Sequence, residues 1–177
     1  MKKSVILVLA IAAAFVLLPT ASQAASLPQP GASAPNFTLP SQDSTKISLS
    51  QFRGKWAVLY FYPKDMTSGC TIEAHNFQRD QQKYQERNTV VLGVSVDSVD
   101  SHQKFCTKEG LNFKLLSDSD HTVTEEYGSL TNLGLVKFAS RHTFIINPEG
   151  KIAKVYTDVN PNKHSDEVLT ALAELQK

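Results

Sequence analysis

Cys70 and Cys106 are the only thiols in the chain, and 36 positions separate them. Neither belongs to a C-x-x-C pair, so paired-thiol exchange has no local motif here. Cys70 closes the stretch PKDMTSGC, which leaves an apolar run and enters a helical pattern. In the first turn of a helix, unpaired backbone N–H groups and the positive helix end favour thiolate over thiol, which makes Cys70 a candidate nucleophile. Thr67 either caps that helix or presents its hydroxyl to whatever approaches the sulfur. Pro63 fixes the backbone at the strand exit and shields the sulfur from water, and Gly69 leaves room for close approach to the N–H groups. Spacing and position also fit a plainer reading, in which Cys70 is a buried and inert core cysteine.

The elements that would carry this loop can be read on either side of it. Trp56 to Tyr62 (WAVLYFY) is apolar almost throughout and bounded by Gly54 and Pro63, as expected for a strand covered on both faces. Val90 to Val96 and His142 to Ile146 have the same character. Asn36 to Ser50 alternates around a Ser-Gln-Asp-Ser turn and predicts a β-hairpin. Cys70, Ala74, Phe77 and Tyr84 recur at a helical period, and a second helix follows Asp97-Ser98, carries Cys106 and stops at Gly110. A short helix at 121–127, a strand at 151–157 paired with His142 to Ile146 and a final helix at 166–176 complete the order. Alternating strands and helices predict an α/β domain of three layers with a mainly parallel sheet. Sites in such sheets gather beyond the carboxyl ends of the strands, where Pro63 to Cys70 would sit.

The first 24 residues read as a secretory signal peptide: Lys2 and Lys3, an apolar run from Val5 to Leu18, then small residues ending at Ala24. An uncleaved N-terminal anchor is the other reading of this segment. Of the 177 residues, removal of these 24 leaves 153, enough for a single domain spanning 36–177 behind an irregular, Pro-rich lead-in at 25–35. The leader takes two lysines with it, so 16 basic residues face 17 acidic ones, a balance that argues against nucleic acid or an anionic membrane as partner. Export places the chain in an oxidising compartment, expected to be the periplasm, where two cysteines can pair. Five histidines and two cysteines without repeated ligand spacing give no metal site, and no cofactor is expected.

Pro63, Thr67 and Cys70 in PKDMTSGC match the P-x-x-x-T-x-x-C signature of the peroxiredoxins, and the longer string FYPKDMTSGCTIEA resembles the peroxiredoxin Q subgroup, the bacterioferritin comigratory proteins. The resemblance runs from GASAPNFTLPSQD through VLGVSVDS and FKLLSD to RHTFIINPEGKI. One departure is Ser68, where the subgroup commonly has proline, and it is expected to loosen the loop without removing chemistry. The resemblance implies a thioredoxin-like fold with a central mixed β-sheet flanked by helices. It also implies a thiol-dependent peroxidase acting on hydrogen peroxide and organic hydroperoxides, with Pro63, Thr67, Cys70 and Arg141 as site residues. In that scheme Cys70 attacks, Thr67 and the Gly69 and Cys70 N–H groups donate hydrogen bonds, and Arg141 supplies a fixed cation; without the resemblance, Arg141 reads as a surface residue at a strand end. Glu73 is a supporting residue that could orient Arg141, while Lys64 and Asp65 read as solvated loop charges.

The subgroup commonly places a resolving cysteine five residues after the first, and that position is His75 here, read as an exposed helix residue. Some members resemble this chain in carrying it on the following helix, which implies Cys106 as resolving cysteine and a Cys70–Cys106 disulfide in a monomer. Cys106 can also be a small apolar core residue, leaving a one-cysteine mechanism. Bridging two helices requires that the helix beginning at Cys70 frays and that carrying Cys106 loosens. A thioredoxin-like protein or a small thiol would return the enzyme to its reduced form. The rival classes are a thiol-disulfide oxidoreductase, which lacks its C-x-x-C here, and a non-catalytic binding module.

Overall fold

A computed structural model describes residues 26–177, so the expected signal peptide lies outside the described residues. The elements run in the order β1 (Thr38–Pro40), β2 (Lys46–Ser48), β3 (Trp56–Phe61), α1 (Ser68–Arg79), α2 (Gln81–Glu86), β4 (Thr89–Ser95), α3 (Val99–Glu109) and β5 (Lys114–Ser117). There follow α4 (Thr122–Glu126), β6 (Leu130–Asn132), β7 (Lys137–Ala139), β8 (Thr143–Ile146), β9 (Ile152–Tyr156) and α5 (His164–Leu175). Five strands form the central sheet in the order β5-β4-β3-β8-β9. β3, β4 and β5 are parallel, whereas β8 pairs antiparallel with both β3 and β9. The sheet is therefore mixed, and β1–β2 and β6–β7 form separate hairpins.

β3 is apolar on both sides because both sides are covered. Ala57, Leu59 and Phe61 enter one cluster with Leu39, Val123 and Phe144, while Val58, Tyr60 and Tyr62 enter another with Phe77, Phe105 and Leu172. The alternation follows the two-residue period of a strand. The β3–α1–β4 and β4–α3–β5 crossovers step across the sheet in the same direction, so crossovers of one hand place α1 and α3 on the same face. α2 and α5 share that face, and α4 with the β1–β2 hairpin covers the other. Gly93 in β4 is required by close approach, since a β-carbon there would lie 2.6 Å from Leu115 Cδ2 and 2.8 Å from the Tyr60 ring. Gly110 ends α3 as expected, in the left-handed region at φ 66°.

Three expectations change. The helical pattern from Cys70 to Tyr84 is two helices, broken at Asp80, whose buried carboxylate accepts from Arg79, Lys83 and Ser165. The lead-in is irregular but fastened: Gly31 N–H donates to Ile152, Ala34 N–H to Gly150, and Ile152 N–H to Ala32. β5, β6 and β7 have no counterpart among the strands expected from the sequence.

Candidate active site

The loop after β3 turns sharply at Met66, whose φ of 58° lies in the left-handed region, and Thr67 then precedes α1 in extended conformation. The first helical bond, Thr71 N–H to Thr67 O at 2.9 Å, leaves the N–H groups of Ser68, Gly69 and Cys70 ahead of the intrahelical ladder. Cys70 sits third in α1 and is 2% exposed. Its helix buries Cys70, Glu73, Ala74 and Phe77, the spacing of one helical face.

Arg141 reaches this turn because β8 runs antiparallel to β3. Tyr60 pairs with Thr143, and Phe61 N–H donates to His142 O at 2.8 Å, so the residue just ahead of β8 arrives where β3 ends. Arg141 Nη2 lies 3.3 Å from Cys70 Sγ, while Nη1 donates to Glu73 Oε2. Burial opposes the guanidinium charge, yet Glu73 and the Cys70 sulfur hold its pKa above the ordinary value. Glu73 is 1% exposed, and its Oε1 has no partner among the described residues. Burial pushes its carboxyl up to about 7, outweighing the attraction of Arg141. Behind Arg141, His164 is buried with Nε2 2.8 Å from Thr143 Oγ1, and burial, then the guanidinium, push its pKa down to about 4. It is neutral at physiological pH and adds no competing cation.

Thr67 departs from its expected role. It makes no side-chain cap, and its hydroxyl proton goes to Lys64 O at 3.0 Å. The exposed oxygen is thereby left as an acceptor rather than a donor. Pro63 is half-buried and lines a groove of about 330 Å³ with Val96, Val136 and Phe138. Gly69 is less constrained than expected: a β-carbon there would lie 3.5 Å from Arg141 Nη2, an ordinary contact. The turn thus gathers a sulfur nucleophile, free N–H donors, a fixed cation and an acceptor. That combination suits attack on a polarised oxygen with charge building on the leaving group.

Residues 30–155 match the AhpC/TSA family. The Escherichia coli protein Peroxiredoxin Bcp is 38% identical over 145 residues, spanning 80% of this chain and 93% of its own length. The chain is a peroxiredoxin of the AhpC/TSA family. Among solved structures, a PrxQ mutant from Xylella fastidiosa superposes with a TM-score of 0.81 at 35% identity, covering 86% of this chain and 99% of its own. The Xanthomonas campestris bacterioferritin comigratory protein, described with an alkyl peroxide reduction activity, gives 0.76 at 34% identity over 86% and 99%. The fold is accordingly the thioredoxin-like one, and the protein is a thiol-dependent peroxidase.

In this peroxiredoxin the expected site residues divide into two places. Thr67, Gly69, Cys70, Glu73 and Arg141 lie at the start of α1 and Pro63 on the loop leading to it, whereas Cys106 lies on α3 in the same apolar cluster as Cys70. Both thiols are free and buried. Burial, then the charge on Asp65, pushes the Cys106 thiol up to about 11. His75 is exposed as expected and meets Glu109 of α3 at 3.0 Å. Asp65 is the clear correction, because it is a buried group rather than a solvated loop charge. Tyr62, Ser101 and His102 all hydrogen-bond its carboxylate. His102 went unrecognised, although its place one helical turn before Cys106 on a buried face was open to reading.

Proposed function

We propose that the chain reduces hydrogen peroxide and organic hydroperoxides through Cys70, with Cys106 as its resolving partner. The observation that carries this reading is Arg141 Nη2 at 3.3 Å from Cys70 Sγ, at the head of a helix with unpaired N–H groups. The Cys70 thiolate attacks the terminal peroxide oxygen; an S–O bond forms and the O–O bond breaks. The departing oxygen takes a proton from solvent and leaves as water or an alcohol, and Cys70 remains as sulfenic acid. Arg141 and the first-turn N–H groups stabilise the charge on the separating oxygens, while the Thr67 oxygen accepts a hydrogen bond from the hydroperoxide O–H and aligns it; that proton stays on the transferred oxygen. The apolar wall beside Pro63 suits the tail of an organic hydroperoxide, in keeping with the activity described for the Xanthomonas relative.

The Cys106 sulfur then attacks Cys70; an S–S bond forms, the S–O bond breaks, and the thiol proton leaves with the hydroxide as water. A dithiol of thioredoxin-like type, or a small thiol, takes the disulfide back to two thiols. The leader-like N-terminus supports export to the periplasm, and an intrachain bridge suits a monomer. Mass spectrometry after one equivalent of peroxide tests the scheme: a Cys70–Cys106 bridge within one chain is expected, and its absence sinks it. A one-cysteine mechanism is the second reading, favoured by the burial of the Cys106 thiol.

A further inference from the structure

Outside the peroxide site, the densest buried polar cluster joins the loop that delivers Cys70 to the helix that carries Cys106. Asp65 is 5% exposed and belongs to the loop, and His102 is fully buried in α3. Asp65 Oδ1 accepts from Tyr62 OH at 2.7 Å, and Oδ2 accepts from Ser101 Oγ at 2.7 Å and faces His102 Nδ1 at 2.9 Å. The other ring nitrogen of His102, Nε2, faces Leu116 O at 3.2 Å. A carboxylate faces one ring nitrogen and a carbonyl the other, so carboxylate and ring form a buried, doubly anchored pair. The backbone closes the arrangement, since Asp65 N–H donates to Asp97 Oδ2 at 2.9 Å and Ser95 Oγ donates to the same oxygen at 2.8 Å.

We propose that Asp65 and His102 are a positioning pair for the resolving step: a clasp that holds α3 against the peroxidatic loop and sets the rate at which Cys106 becomes available to Cys70. The inference rests on the reading of Cys106 as resolving cysteine. Cys106 lies one turn beyond His102, with both side chains on the buried face of α3. Movement of that turn separates Asp65 from its donors and leaves a buried carboxylate uncompensated, which is costly. The ion pair between α1 and α3, His75 to Glu109, has its histidine half-exposed and is cheap to break. Burial first, and the Asp65 charge second, oppose ionisation of Cys106 in the closed arrangement. Neither residue hydrogen-bonds Cys70, Thr67, Glu73 or Arg141.

Rapid mixing of the full-length mature protein with hydrogen peroxide, followed by acid quench and thiol alkylation, separates the two steps. Loss of the Cys70 thiol is second order overall and first order in peroxide, whereas disulfide formation is first order and independent of peroxide. Ser101→Ala removes one donor with little risk to the fold, and Asp65→Asn removes the charge. Both are expected to raise the first-order rate by about tenfold to a hundredfold, the factor for one hydrogen bond to a charged group lost from the closed state alone. The peroxide-dependent rate of Ser101→Ala stays within about twofold of the parent, a bound set by the small effect of a surface-side substitution away from the site. Val168→Ala on α5 lowers overall stability without touching the clasp and leaves the disulfide rate unchanged. Equal disulfide rates in parent, Ser101→Ala and Asp65→Asn overturn the clasp alone, as does an equal acceleration by Val168→Ala. Absence of any Cys70–Cys106 bridge in the parent overturns the resolving role of Cys106 and the clasp with it.

Discussion

Arg141 holds Cys70 and Glu73 with the two arms of one guanidinium: Nη2 stands 3.3 Å from the sulfur while Nη1 is bound by the buried carboxylate. The sulfur is thus oriented by a planar fork whose other tine is fixed, an arrangement that an ammonium on a flexible stem does not reproduce. Arg141→Lys is expected to slow loss of the Cys70 thiol to hydrogen peroxide by about a hundredfold, the scale of removing one fixed donor from a developing oxyanion. Stopped-flow rates over a range of peroxide concentrations give the number, and a lysine variant as fast as the parent would refute the role.

Glu73 links the same contact to pH. Its carboxyl is raised from 4.5 to about 7, chiefly by burial. Below about pH 4.5 folded and unfolded chains both hold the proton; between there and about pH 7 the unfolded chain has released it while the folded chain keeps it. Stability attributable to Glu73 is therefore present at low pH and lost as pH rises through this window, by up to about 3 kcal/mol. Chemical denaturation at pH 4.5 and pH 8 is expected to show this fall in the parent and a smaller one in Glu73→Gln. Parallel profiles for the two proteins would contradict it.

Thr67 is expected to act through its oxygen as an acceptor, its own proton being engaged by Lys64. Thr67→Ser keeps the hydroxyl and should retain the peroxide step within a few-fold. Thr67→Val keeps the shape but loses the oxygen, and should slow the step by about ten- to a hundredfold, as for loss of one aligned hydrogen bond at a reacting group. Comparable rates for Ser and Val at this position would assign Thr67 to loop packing.

Tyr60 carries a buried hydroxyl without a partner among the described residues, packed over Gly93. Tyr60→Phe removes a polar group that gains nothing in the folded state and is expected to leave stability unchanged or raise it by about 1 kcal/mol. Gly93→Ala drives a methyl into the Tyr60 ring and Leu115, with an expected loss of about 1–3 kcal/mol. Urea denaturation measures both; a marked loss in Tyr60→Phe would reveal a partner for that hydroxyl.

Periodicity and turn chemistry carry much of the fold. β3 announces itself by apolar residues on both faces, α3 by Asp97-Ser98 at its start and Gly110 at its end, and α1 by Cys70, Ala74 and Phe77 on one face. These signals are local, and local sequence holds them whole. The break at Asp80 is different, because its cause is Ser165, 85 positions away.

The same division runs through the site. The sequence by itself determines which chemistry is on offer: one cysteine at a helix start behind Pro63 and Thr67, a second thiol 36 residues on, and no C-x-x-C pair. It cannot say that Asp65 turns inward to Ser101 and His102, that Thr67 spends its proton on Lys64, or that Glu73 is buried beside Arg141. Those outcomes depend on what lies opposite each side chain once β8 has run antiparallel to β3 and α3 has packed beside α1. A charge's burial and its partner are properties of the whole fold, since solvation and hydrogen bonding are decided by neighbours distant in sequence.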